Sequence, residues 1–268
     1  TVLHLWLVVA PSSSPSPSNL QGWGGFSKST FSSSLAVTSW NCQGLGNSMT
    51  VHRLREMRLN FYPDVLFLME TKNQDAYVLR VLQWLGYAHS FTVPPTGLGG
   101  GLALFWKHDI DLEVLSFSQN FIDTRLKVKS KLFYLTLVYG DPVKQNRKAV
   151  WDQIPSLRLN PEDAWLLTGN FNDLLENSEK RGGPPRSQGS FIDFRSFVSR
   201  NGLWDLKFSG NPLSWRGMRY DHFVRQRLDR AMSNNSWLEC FPSGRAEYLR
   251  FEGSDHRPLV IFVDESRV

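Results

Sequence analysis

Cysteine is almost missing from this 268-residue sequence: there are two, Cys42 and Cys240, and neither stands in a CxxC pair. That scarcity excludes a cysteine-based zinc site and a disulfide-stapled framework. One disulfide between the two stays open, but two free thiols in a reducing compartment fit better. Long apolar runs are missing as well. The opening stretch TVLHLWLVVAPSSSPSPS has the length of a signal-peptide h-region, but no initiator methionine or basic segment precedes it, and it is too short to span a bilayer. No later segment is long and apolar enough to cross a membrane. Neither a fixed-period repeat nor a heptad pattern occurs. Acid is in deficit, 25 Asp and Glu against 30 Lys and Arg, for a net charge of +5. That balance favours polyanionic partners such as nucleic acid only weakly, and a solvated basic surface explains it equally well.

What is present in quantity is core material. Hydrophobic residues make up 41% and there are ten tryptophans, enough for a substantial interior with some ring surface left for ligands. Residues 1–34 are set apart: from residue 11 they read PSSSPSPSNLQGWGGFSKSTFSSS, a flexible leader in composition. The folded domain is expected over 35–268.

Within it, LAVTSWN reads as a strand ending in polar residues. TVHRLREMRLNF carries Val51, Leu54, Met57 and Phe61 near helical spacing, with Ser48 or Thr50 as N-cap. DVLFLMET is a buried strand ending on Glu70, and DAYVLRVLQWLG a helix stopped by Gly86. GYAHSFTV, GLALFWK, DLEVLSFS, FIDTRLKVKS and KLFYLTLVYG follow as strands. In FIDTRLKVKS the alternation places Asp123, Arg125, Lys127 and Lys129 on one face, predicting a half-solvated strand. Helices are predicted at NRKAVWDQI and SFIDFRSFVSRNG, and strands at AWLLTGN, PLSWRG, RLDRAMSN, EYLRFE and PLVIFVD. The sum is an α/β sandwich, two stacked sheets with helices outside.

Polar side chains gather where these strands end: Asn41, Glu70, Tyr139, Asn170 and Asn172, then Asp229 and the pair Asp255-His256. Each has an ordinary explanation alone, as a strand-end charge, a turn residue or an edge aromatic. Together they suit phosphodiester hydrolysis. A lone carboxylate among amides suits Mg²⁺, a hard ion that keeps several waters. A histidine held by an aspartate can donate to a phosphoryl or leaving-group oxygen, and Tyr and Asn can hold the phosphate where charge builds.

The motifs SWNCQGLG, LFLMETK, LVYGDP, LLTGNFNDLL, RLDRAM and GSDHRPLVI occur in the order of the endonuclease/exonuclease/phosphatase superfamily, which the chain resembles over about residues 36–264. WNCQGLG and the EKRGG at 179–183 are similar to the apurinic-endonuclease-like domains of plant LINE-type (non-LTR) retrotransposons. The resemblance implies a DNase I-like four-layer α/β sandwich, two mixed sheets flanked by helices, and a phosphodiesterase dependent on Mg²⁺ (or Mn²⁺). It implies Glu70 as the main metal ligand with Asn41 close by, and Asp255 at the metal site or rim. Tyr139 would contact the scissile phosphate, Asn172 hold the phosphate or attacking water, and His256, oriented by Asp229, stabilise the phosphoryl oxygens. The chain departs from the family at one decisive place. Gly-Asp-Phe-Asn of the family is Gly-Asn-Phe-Asn here, so Asn170 stands where the family has the aspartate that takes a proton from water. Loss of a general base costs on the order of 10²–10⁴-fold in rate. Asp173 lies at an odd offset and points elsewhere. Gln43 is a lesser departure, where repair members tend to have Asp.

Three basic segments crowd the expected rim: KQNRK (144–148), EKRGGPPR (179–186) and RGMRYDHFVRQRLDR (216–230). The last supplies Arg216, Arg219, Arg225 and Arg227 as candidate phosphate contacts, with Trp215, Tyr220 and Phe223 as candidate stacking rings. A solvated charged loop is the ordinary alternative. The leading expectation is a retrotransposon-derived DNA endonuclease-like domain with impaired catalysis, monomeric, intracellular and nuclear, without a membrane span or a reverse transcriptase. The alternatives are a noncatalytic nucleic-acid-binding module and a phosphatase of small phosphate esters.

Overall fold

The computed structural model describes residues 34–265, positions 98 and 159 excepted. The expected leader therefore lies outside the described residues but for its last position. In chain order the elements are β1 (Leu35–Asn41), α1 (Ser48–Asn60), β2 (Val65–Met69), α2 (Asp75–Leu85), β3 (His89–Val93), β4 (Leu102–Trp106), β5 (Asp111–Phe117), β6 (Phe121–Val128), β7 (Lys131–Tyr139), α3 (Arg147–Gln153) and β8 (Trp165–Asn170). The second half holds β9 (Lys180–Arg181), α4 (Ile192–Arg200), β10 (Trp204–Asp205), β11 (Lys207–Ser209), β12 (Trp215–Arg219), β13 (His222–Gln226), β14 (Asp229–Ser233), α5 (Asn235–Cys240), β15 (Arg245–Tyr248) and β16 (Leu259–Val263).

The strands form a sheet in the order β11-β15-β16-β1-β2-β4-β3, a second in the order β10-β14-β8-β7-β6-β5, and a small third, β12-β13-β9. The first two are mixed: β1 runs parallel to β2, β11 to β15 and β7 to β8, among antiparallel neighbours. Between them lies the main core, with Val37, Phe67, Met69 and Leu104 from one sheet and Ile122, Leu135, Leu137 and Leu166 from the other. On the outer face of the first sheet, Trp40, Leu66, Leu68 and Phe105 meet Leu54, Met57 and Val78 of α1 and α2. On the outer face of the second, Val138 and Leu167 meet Trp151, Phe194 and Phe197 of α3 and α4. The result is a four-layer α/β sandwich. It explains why β2 reads as an unbroken apolar run: all five residues are buried because both faces are covered.

Local details differ from the sequence reading in three places. The N-cap of α1 is Asn47, whose side chain accepts the Met49 N–H at 2.9 Å; Ser48 is the first helical residue. The Thr50 hydroxyl instead donates to the Gly253 carbonyl (2.6 Å), tying α1 to the loop before His256. On β6 only Arg125 and Lys127 are exposed; Asp123 is buried, ion-paired with Arg158 and accepting from the Thr136 hydroxyl at 2.7 Å. Third, the arginine-rich stretch 216–226 is not a loop but the β12–β13 hairpin. Both cysteines are free thiols, and burial pushes Cys42 up to about 12. Among the described residues no helix is long and apolar enough to cross a membrane.

Candidate active site

Two parallel strand pairs explain why distant polar residues meet. β1 and β2 end together at Asn41 and Met69, and β7 and β8 end together at Tyr139 and Asn170. The two pairs face each other across the core, where the Ser39 and Thr168 hydroxyls lie 3.1 Å apart. β14 begins at the same rim, with Asp229 opposite Asn170. His256 enters just before β16, which lies beside β1. Gly169 makes the approach possible. Its φ is +143°, and a Cβ there would lie 1.9 Å from the Val138 carbonyl of β7.

Glu70 is the hub. Its Oε1 accepts from Asn41 Nδ2 (2.8 Å) and from the Tyr139 hydroxyl (3.1 Å), and its Oε2 lies 3.0 Å from Lys72 Nζ. Lys72 also donates to Gln43 Oε1 at 2.5 Å. Burial alone would raise the pKa of Glu70, but Asn41, Lys72 and the charge of His256 outweigh it and hold the carboxyl below its usual range. Burial, followed by the neighbouring Glu70 carboxylate, pushes the Tyr139 phenol well up, so it stays a hydrogen-bond donor. Among the described residues seven non-glycine positions have positive φ, and four of them, Gln43, Glu70, Lys72 and Asn172, cluster at this hub. Left-handed backbone concentrated in one place is strain held by the surrounding fold, and it recurs at functional sites.

The second constellation is the Asp229–His256 pair, Oδ2 to Nδ1 at 2.8 Å, both side chains buried. Ser214 Oγ accepts the Asp229 N–H (2.9 Å) and the Tyr248 hydroxyl donates to the Asp229 carbonyl (2.9 Å), fixing the backbone of Asp229 from two sides. Burial works against an imidazolium here, yet the charge and hydrogen bond of Asp229, with Asp255 and Glu70 beyond, raise the His256 pKa above its ordinary value. Glu70, Asn172 and His256 line one cleft of about 380 Å³.

Asn170 is fully buried beneath this cleft. Its Oδ1 accepts the Asn172 N–H at 2.8 Å, while its Nδ2 has no hydrogen-bond partner. An unpaired buried amide costs about 1–3 kcal/mol. A carboxylate would keep the first contact and turn the orphaned donor into an acceptor. Asn172 lines the cleft with its Nδ2 committed to the Gly140 carbonyl (2.7 Å). Asp173 offers no substitute base, because Arg186 (3.0 Å) and Arg147 (3.8 Å) hold its Oδ1.

Three expected roles change. Asp255 does not join the Glu70 hub: its Oδ2 accepts the Trp215 indole N–H at 2.9 Å and holds the β12–β13 hairpin in place. Among the described residues no group of three or more His, Cys, Asp or Glu could hold a metal, which leaves Glu70 as the carboxylate of the site, with Asn41 beside it. Arg227 is not on the surface: it is ion-paired with Asp205 (3.0 Å) and donates to the Tyr248 hydroxyl (3.2 Å). The hairpin register also divides the remaining arginines. Trp215, Arg219 and Gln226 are on the face that lines the cleft, whereas Arg216 and Arg225, a directly opposed pair, lie on the other face. The sequence reading missed Arg147 and Arg186, which also line the cleft. They belong to two of the basic segments, and only the fold brings them inward.

A family model described as the Endonuclease/Exonuclease/phosphatase family matches residues 38–256. No curated protein matches the chain. Similar solved structures include the endonuclease domain of TRAS1, a telomere-specific non-LTR retrotransposon, with 14% identity, 87% of this chain and 100% of that chain covered, and a TM-score of 0.64. A 3'-5' exonuclease (NExo) from Neisseria meningitidis is 16% identical over 86% of this chain and 100% of that one, with a TM-score of 0.65. An AP endonuclease from Archaeoglobus fulgidus is 16% identical over 86% and 99%, with a TM-score of 0.64. At these identities the likeness concerns the fold.

Proposed function

The chain belongs to the endonuclease/exonuclease/phosphatase family, and on that premise we propose that it is a Mg²⁺-dependent DNA endonuclease-like phosphodiesterase domain whose catalysis is held down by Asn170. The observation that carries this reading is the meeting, around one cleft, of the Asn41–Glu70–Tyr139 cluster with the Asp229–His256 pair. Glu70 would hold Mg²⁺ or Mn²⁺. The donor set fits: a single carboxylate in a polar cleft suits a hard cation that keeps most of its waters, with the Lys72 ammonium, now on Oε2, giving way to it. When bound, such an ion polarises a phosphoryl oxygen and neutralises charge on the leaving group. His256, kept cationic by Asp229, donates to a nonbridging oxygen where negative charge gathers. Tyr139 positions Glu70 and the phosphate beside it. Asn172, fixed by Gly140, holds the phosphate or a water in reach. Asn170 can orient a water but cannot accept its proton, so turnover is slow.

The fold likeness to the TRAS1 endonuclease domain, with WNCQGLG and EKRGG, supports descent from a non-LTR retrotransposon, of the plant LINE type. Two unpaired thiols support an intracellular setting, and a DNA substrate a nuclear one. One observation favours a second reading, a noncatalytic DNA-binding module: the family's base is an amide and Asp173 is tied up by arginines.

Nicking of supercoiled plasmid with Mg²⁺ separates the two. The endonuclease reading expects weak nicking, a gain of about 10²–10⁴-fold in Asn170→Asp, and loss in Glu70→Ala. Salt-sensitive binding with no nicking in any variant would leave the binding module.

A further inference from the structure

Each of the three basic segments delivers one arginine to the same cleft: Arg147 at the start of α3, Arg186 from the loop after β9, and Arg219 at the end of β12. Two of them are locked in place. Arg147 donates from Nε to the Asp141 carbonyl (2.8 Å) and from a terminal nitrogen to the Pro142 carbonyl (3.1 Å). Arg186 donates to the Ser190 hydroxyl (3.1 Å) and carbonyl (2.9 Å). Arg219 is exposed, its guanidinium 4.7 Å from the centre of the Trp215 ring.

The charges do not balance. Asp173 is the carboxylate shared by Arg147 and Arg186, and Arg219 has no ion pair among the described residues. Asp141, the next acid, accepts from the Val143 N–H (2.7 Å) and the Asn146 amide (3.3 Å) and keeps its charge, so three guanidiniums stand against two carboxylates. Burial first, and then repulsion from Arg186 and Arg219 against the pull of Asp173 and Asp141, keep the Arg147 pKa below the ordinary arginine value. Arginine still keeps its proton, so the cleft carries a standing excess of positive charge beside Asn172. Rigid guanidinium forks held open toward a cleft match phosphate oxygens and lose little entropy on binding them.

We propose that Arg147, Arg186 and Arg219 form a second phosphate subsite, which takes the backbone phosphate next to the scissile one. The inference rests on the phosphodiesterase reading and narrows it: the substrate is a polynucleotide, not a small phosphate ester, because a single phosphate leaves this subsite empty.

The test is displacement of a labelled DNA duplex by three thymidine dinucleotides. TpT carries one phosphate, and pTpT and TpTp carry a second on either side. One of the two bis-phosphates is expected to compete roughly tenfold better than TpT, the worth of a charge-assisted hydrogen-bonded contact. Arg219→Gln should erase that gain, and Arg186→Gln should reduce it. Arg200→Gln, at the exposed end of α4, should leave it intact. Arg219 is exposed and, among the described residues, makes no side-chain hydrogen bond or ion pair, so its variant is expected to melt like the parent, and a matched melt is part of the experiment. If TpT, pTpT and TpTp compete alike, or if the gain survives both Arg219→Gln and Arg186→Gln, the subsite is overturned. If the duplex is bound, and nicked by Asn170→Asp, while the extra phosphate makes no difference, the subsite fails and the function stands. If the duplex is not bound at all, both fall.

Discussion

Asp229→Asn removes one charge from a buried pair and keeps its shape, so its effect on stability isolates electrostatics. His256 is 2% exposed and Asp229 1%, with 2.8 Å between Nδ1 and Oδ2. In the parent the folded-state pKa of His256 is raised above its ordinary 6.5 by Asp229, against the effect of burial. A raised pKa contributes stability that is complete below 6.5 and fades as pH climbs through the folded value. With Asp229 neutral the largest attraction is gone and only the lesser pull of Asp255 and Glu70 opposes burial, so burial prevails and the folded pKa falls below that of the unfolded chain. The unfolded state then binds the proton better, and stability is lost as pH falls. Near pH 5.5 the variant must bury an unpaired imidazolium or give up its proton, and removing one partner of a buried pair costs about 3–5 kcal/mol. Near pH 8.5 the variant's ring is neutral and the Asn oxygen can still accept from Nδ1, so the loss shrinks to about 1–2 kcal/mol. Urea denaturation of both proteins at the two pH values measures the difference. An equal loss at both would refute the charge coupling and, with it, the view that Asp229 keeps His256 cationic.

Other perturbations probe the frame around the site. Gly169→Ala drives a Cβ to 1.9 Å from the Val138 carbonyl at a φ of +143°, which should separate β7 from β8; a loss above 4 kcal/mol or failure to fold is expected, read by thermal melting. Asp173→Asn leaves Arg147 and Arg186 without their shared carboxylate. A loss of about 3 kcal/mol is expected in urea, and with it a steeper salt dependence of DNA binding. Cys42 is buried and its thiol is pushed up to about 12, whereas Cys240 is half-buried. A thiol-reactive disulfide reagent should therefore modify Cys240 in the folded protein and reach Cys42 only after denaturation; fast reaction of both would contradict the packing of β1 against β2.

Much of the frame was legible in the sequence because burial writes itself into pattern. The unbroken VLFLM of β2 and WLL of β8 signalled strands covered on both faces, and the polar residue after each marked the shared rim. Asn41, Glu70, Tyr139 and Asn170 could be found this way because parallel pairing aligns strand ends, and Asp229 and His256 because the antiparallel strands β14 and β16 begin at the same rim. What sequence could not convey was direction. Alternation along β12 and β13 puts Arg219 in the cleft and Arg216 and Arg225 on the opposite face, and the division depends on register, not composition. Arg227 looks like its neighbours in the chain, yet Asp205 and Glu179, both distant in sequence, draw it inward. Asp255 precedes His256 and reads as a residue of the metal site or rim, but the Trp215 indole from 40 residues away claims its oxygen. Arg147 and Arg186 were hidden inside charge runs that mostly face solvent.

The central claim is that Glu70 and His256 belong to one centre built around a divalent cation, and Mn²⁺ tests it most directly. Mn²⁺ titrated into the protein should broaden the ring resonances of His256 in the proton NMR spectrum at substoichiometric amounts, and Glu70→Ala should abolish the effect while the spectrum otherwise keeps its dispersion. Broadening that survives in Glu70→Ala, or that spares His256 while striking other residues, would contradict the account.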